Sequence, residues 1–249
     1  MLRIAFAVMS ACLLAACSSE PASHVKPGGT QVTLHVSPTG TDAADADEQQ
    51  VLQGVQMIQD GKIMAAIDGP LNAVVNKYET RYAGGKATIY SARNTTDAML
   101  YAGLAMTAVP HGQVEVLGPA WAMAYWARGF AYGEMARYDD ERRELEKALA
   151  LAPFDAQYNN ELAYVFVQKR DWANALAHYK TAEEYADITA PGAPHVKCVA
   201  FRGQGFVLVE QHKLDEAEAR YRECLKITPD EPKSLGEIGY IQELRKKQH

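Results

Sequence analysis

The sequence predicts an all-α fold, a stack of antiparallel helical hairpins closed by a C-terminal capping helix. Three observations carry this. A pattern of apolar and small residues recurs every 34 residues over 122–155 and 156–189, and again over 198–231; such a period marks a repeat architecture in which each unit is one supersecondary element. Inside each recurrence small residues stand where two antiparallel helices would cross, with large ones on either side to fill the space toward the next hairpin. Proline follows Leu151-Ala152 and Ile227-Thr228, where its missing N–H and fixed φ end the second helix.

Residues 1–16 have the layout of an export signal: Arg3, then the apolar run Ile4 to Leu14 broken only by Ser10, then small residues. The run falls short of the roughly 20 residues that span a bilayer as a helix. At its end Leu14-Ala15-Ala16-Cys17 resembles the lipobox of bacterial lipoproteins. That resemblance implies diacylglycerol on the Cys17 thiol, cleavage before it and acylation of its new amino group. Ser18 stands where the inner-membrane retention signal of such lipoproteins is usually aspartate, so the resemblance implies the periplasmic face of the outer membrane.

Residues 17–45 read as a lipidated flexible tether, rich in breakers at Ser18-Ser19-Glu20-Pro21, Lys26-Pro27-Gly28-Gly29 and Ser37-Pro38-Thr39-Gly40. Val32, Leu34 and Val36 alternate and leave two readings, one short strand or, as the composition favours, an extended linker. Residues 46–118 form a divergent N-terminal part. In 47–82, Gly54, Met57, Gly61 and Ala66 fall at repeat spacing, while Gly69-Pro70 interrupts the second helix, which should restart at Leu71. In 83–118, Thr95-Thr96-Asp97 looks like the cap of one extra helix and Thr88-Ile89-Tyr90 is compatible with extended chain.

The repeats occupy 119–249 with the cap. The first unit places Tyr125, Gly129, Tyr132, Leu145, Ala148 and Pro153 in register; the second Leu162, Ala163, Phe166, Ala175, Tyr179 and Ala182; the third Phe201, Gly205, Leu208, Ala217, Tyr221 and Pro229. Gly129, Ala163 and Gly205 are the small residues of the first helices, and Ala175 and Ala217 oppose them from the second. Glu141 replaces that alanine in the first unit, which should splay the pair or make the carboxylate snorkel. An inserted loop, 190–197, separates the second and third units, and 232–249 begins like another first helix and ends in a basic cluster suited to a helix C-terminus. Over 122–231 the chain resembles the tetratricopeptide repeat family, which implies a right-handed superhelical solenoid whose first helices line a concave groove.

Net charge is −6, and loss of Arg3 with the signal makes it about one unit more negative; such a chain is unsuited to nucleic acid. The seven histidines and four cysteines have no metal-ligand spacing, and no nucleophile elbow, phosphate loop or dinucleotide fingerprint occurs. Asp139-Asp140-Glu141 and Asp215-Glu216 begin second helices, where carboxylates complement the dipole. The reading is therefore no enzyme, no cofactor and no metal. Cys198 and Cys224 fall opposite each other if Gly205 faces Ala217; either they form a disulfide, or Cys224 fills a small buried position as Ala148 and Ala182 do.

The resemblance places Trp126 and Phe130, Asn160 and Tyr164, and Arg202 and Phe206 in the groove. Phe130, Tyr164 and Phe206 share one equivalent position, as an aromatic ladder for an apolar segment or as packing against neighbouring hairpins and 83–118. Chaperone-binding members of the family clamp a terminal carboxylate with lysine, arginine and asparagine, of which only Asn160 and Arg202 have counterparts here. The expected function is a lipid-anchored scaffold that binds a protein or peptide partner in envelope assembly, touching the membrane through its lipid only. The alternatives are a self-associating envelope protein and a cell-wall-acting enzyme. Labelling cells with a clickable palmitate analogue tests the anchor: the wild-type chain is expected to carry label and partition with membranes, and Cys17→Ser to lose both.

Overall fold

The structure, a computed structural model, describes residues 29–36 and 46–247. Cys17, the signal and most of the proposed tether lie outside the described residues. The alternating stretch for which a linker was the favoured reading is a strand, β1 (Gln31–Leu34). It is held by partners distant in sequence: it pairs in parallel with the strand Gln113–Leu117, Val32 opposite Val114.

Helix α1 (Ala46–Gln59) is followed by α2 (Ile63–Ala66), a π-helical turn at Ile67–Leu71 and α3 (Asn72–Tyr82). Gly69 leaves helical geometry and Pro70 lies inside the turn, so the helix restarts one residue later than the proline alone suggests. Gly54 of α1 admits the Leu71 side chain, which a methyl group there would meet at 2.5 Å.

Residues 83–118, where one extra helix was expected, also supply two strands. β2 (Thr88–Ser91) leads into α4 (Thr95–Ala108), which crosses back to β3 (Gln113–Leu117). The three strands form a parallel sheet in the order β1-β3-β2. Val114 and Val116 are buried on one face, and the buried Ala98, Tyr101 and Ala105 share one face of α4. Tyr101 stacks on Tyr90 at 5.3 Å between centroids and on Phe154 at 6.2 Å.

Three hairpins follow: α5 (Ala120–Glu134) with α6 (Tyr138–Leu151), α7 (Ala156–Gln168) with α8 (Trp172–Thr189), and α9 (Ala193–Glu210) with α10 (Leu214–Ile227). Helix α11 (Pro232–Lys247) caps the stack and buries Ser234, Ile238 and Ile241. This is the all-α solenoid of helical hairpins that the sequence predicts. Ala163, Ala175 and Ala217 are fully buried at the crossings. Each hairpin turn contains one non-glycine residue in left-handed conformation, Ala136, Arg170 and His212 at φ 54°, 56° and 59°.

The expected loop at 190–197 is mostly helix. α8 runs to Thr189 and α9 starts at Ala193, so only a tight turn with Gly192 at φ 68° remains. Pro194 in the first turn of α9 is favourable because the N–H it lacks would have no intrahelical partner. Cys198 therefore lies inside α9 rather than at its start.

A buried ion pair adds to the packing that joins the sheet unit to the stack. Arg93 Nε lies 2.5 Å from Asp155 Oδ2, with side chains 13% and 1% exposed, and its guanidinium covers the Tyr158 ring at 4.8 Å. Asp155 also caps α7 by accepting from the Tyr158 N–H at 3.0 Å.

At the other end a disulfide joins Cys198 to Cys224, between α9 and α10, closing a sequence separation of 26. A loop of that length is expected to contribute about 3 kcal/mol. Reduction, or the double change Cys198→Ser and Cys224→Ser, should lower Tm in a calorimetric melt; titration of unreduced residues 18–249 with a thiol reagent should find no free thiol.

Candidate binding groove

The first helices of the hairpins, α5, α7 and α9, contribute one residue per turn to a common face, because residues four apart stack on the same side of a helix. Two adjoining cavities open there, of about 420 and 440 Å³. Tyr164, Tyr179 and Val199 line both, so they form one groove with a shared wall. A notional methyl group on Gly203 would lie 2.2 Å from the Tyr179 ring. Glycine at 203 thus lets that ring lie against α9 and set the wall between the cavities.

Five of the six groove residues expected from sequence line these cavities. Phe130, Asn160 and Tyr164 line the first; Tyr164, Arg202 and Phe206 line the second. Tyr164 is 49% exposed and Phe206 39%, unusual for rings of that size. Trp126 lines neither. Its ring lies between the first two hairpins, stacked on Phe130 at 6.1 Å and on Tyr158 at 6.3 Å. Phe206 meets Trp172 edge-on at 6.5 Å.

The two polar residues are committed elsewhere. Asn160 is buried and donates from Nδ2 to the Val196 carbonyl at 2.9 Å, tying α7 to α9. Arg202 pairs with Glu231 at 3.3 Å, and Glu231 in turn accepts from the Ser234 N–H at the start of α11. Neither is arranged as a clamp for a terminal carboxylate.

The charge in the first cavity is instead negative. Glu134, Glu141 and Glu161 line it, and no lysine, arginine or histidine does. Glu141 is only 6% exposed, and its Oε2 has no hydrogen-bond partner. Burial first, then repulsion from Glu161 and Glu134, pushes its pKa up to about 7. Glu161 is likewise raised to about 7, again mainly by burial, although Gln157 donates to it at 3.3 Å.

Glu141 neither splays the hairpin nor snorkels. Gly129 sits so close to α6 that a methyl group there would lie 3.4 Å from the Glu141 carbonyl oxygen. The carboxylate rests against Gly133, where a methyl group would lie 2.9 Å from its atoms. Sequence reasoning missed this site, although its two signals were visible: an acid at the position where Ala175 and Ala217 stand in the other units, and glycine at 133, one helical turn beyond Gly129.

No family model and no curated protein matches the sequence. The fold does match solved structures. A structure titled as the functional characterisation of Pseudomonas aeruginosa PilF superposes with a TM-score of 0.59 at 14% identity, over 82% of this chain and 70% of that one. A structure of PilW, described as a widely conserved type IV pilus biogenesis factor, superposes at 0.54 and 15% identity, over 81% of this chain and 71% of that one. These likenesses show a shared tetratricopeptide-type hairpin stack.

The buried carboxylate has a measurable consequence. The unfolded chain releases the Glu141 proton near pH 4.5, whereas the folded chain holds it to about 7. The site therefore costs nothing below pH 4.5, costs more as pH rises through that window and is constant above it. Glu141→Ala is expected to match wild type at pH 4 and to be more stable at pH 8 by about 3 kcal/mol, as measured by urea denaturation.

Proposed function

We propose that the chain is a lipid-anchored periplasmic scaffold that holds a segment of a protein partner in the groove between α5 and α11. The observation that carries this is the pair of adjoining cavities with exposed Tyr164 and Phe206. Aromatic rings that stay half-exposed in a folded chain offer area that a partner can bury at low entropic cost, and they are enriched among residues that dominate binding energy. The match to the lipobox at Leu14-Ala15-Ala16-Cys17 supports the anchor, and Ser18 supports the outer membrane as its place. PilW, similar in fold, is described as a pilus biogenesis factor, which supports a role in assembling an envelope structure. No residue is assigned a catalytic step in this reading.

A photo-crosslinking amino acid at position 164, compared with one at Ala150 on the exposed side of α6, tests the groove in the native envelope. The expected result is a discrete heterologous crosslink at 164 that is absent at 150 and is lost when Phe206→Ala is added. Crosslinks only to a second copy of the chain would instead identify self-association, and equal crosslinking at the two positions would refute the groove.

A further inference from the structure

Several buried or half-buried acidic side chains have a cationic partner. Asp155 meets Arg93, Glu144 meets Arg128, Glu231 meets Arg202, and Glu218 meets both Arg222 and Arg245. In the first cavity Glu134, Glu141 and Glu161, from α5, α6 and α7, line one wall space and form no ion pair among the described residues. Burying an unpaired carboxylate is costly unless a partner of opposite charge arrives, and here the more buried of the three has an oxygen without any hydrogen bond.

The rest of the wall is suited to the same partner. Phe130, Tyr138, Tyr164 and Tyr179 line the same cavity, and aromatic faces attract a cation within about 6 Å. A cavity lined by aromatic rings and carboxylates complements a side chain with an aliphatic stem and a cationic head. An acidic or neutral polar group would leave the carboxylates unpaired, and an apolar group would shut the buried Glu141 further away from solvent.

We propose that the cavity lined by Phe130, Glu141, Glu161 and Tyr164 receives a lysine or arginine side chain of the segment bound in the groove. This rests on the groove reading above and adds to it the chemistry of one anchor residue. Specificity then comes from charge in the first cavity, while the second, lined by Tyr164 and Phe206, supplies apolar contact.

Protonation gives the site a pH dependence. Glu141 is faced by Glu134 from α5, by Glu161 from α7, and by Tyr138 and Tyr179 from α6 and α8. Glu161 has Asp155 and Arg93 behind it. With Glu141 and Glu161 both raised to about 7, the empty site holds protons at neutral pH that an arriving cation must displace. Affinity for a cationic side chain should therefore rise between pH 6 and pH 8, while affinity for a neutral one, which desolvates the carboxylates without pairing them, should not rise.

The test uses residues 18–249 and three fluorescent, end-blocked apolar decapeptides that differ only at the centre, with lysine, norleucine or glutamate. Anisotropy titrations at pH 8 are expected to show lysine binding about tenfold to a hundredfold more tightly than norleucine, with glutamate weakest. In Glu141→Gln the advantage of lysine should vanish while norleucine binding persists, and the far-UV circular dichroism should be unchanged. Equal binding of lysine and norleucine would overturn the proposal and leave the groove reading standing. If no peptide binds, the groove reading fails, and titration with n-butylammonium decides the cavity. A saturable shift of the Glu141 carboxyl 13C resonance, absent in Glu161→Gln, would uphold the cation site, and an unmoved resonance would overturn it.

Discussion

Everything in this molecule depends on how closely two antiparallel helices can approach. A hairpin of two short helices cannot bury an apolar core alone, so stability comes from stacking, and stacking needs each pair to present a flat, tightly joined surface. Ala163 with Ala175 and Gly205 with Ala217 provide that approach in the second and third units. Where glycine is used, a large ring takes the vacated space: Tyr221 lies against Gly205, and Tyr179 against Gly203. These rings bridge helices within and between hairpins, so the groove walls are extensions of the packing itself.

The first hairpin meets the same constraint with a different solution. Its second helix carries Glu141 instead of alanine, yet the helices remain close, because Gly133 opens a slot for the carboxylate one turn away from the crossing. The slot lies on the wall of the groove, where Gly133 and Glu141 line the first cavity. A group that destabilises the fold at neutral pH and faces a cavity is the arrangement expected where binding has been favoured over stability. The Arg93–Asp155 pair shows the contrast: it is also buried, but both partners are present, and its effect is to hold the sheet unit against α7.

The hairpins were legible in the sequence because their signals are local. Helical period, small residues at crossings and prolines after second helices all fall within one 34-residue unit. The strands were not. β1 and β2 are four residues each, and β3 is five, too short for alternation to stand out, and their pairing is parallel and non-local, with Gln31 opposite Gln113. Of the groove, the aromatic positions Phe130, Tyr164 and Phe206 followed from repeat register. Trp126 did not behave as register suggests, since Tyr158 on the next hairpin offers its ring a stacking surface. The acids escaped notice because Glu141 lies in the first turn of α6, where acids normally serve the helix dipole, and the slot at Gly133 exists only once α5 and α6 are docked.

The anionic cavity stands or falls on the state of that one carboxylate in the empty protein. A pH titration of the Glu141 side-chain carboxyl carbon by NMR, from pH 4 to 9, measures it directly. A midpoint near 7, well above the ordinary carboxylate range, is the predicted result. A midpoint near 4.5 would mean that the carboxylate is solvated, and would contradict both the slot at Gly133 and the anionic cavity built on it.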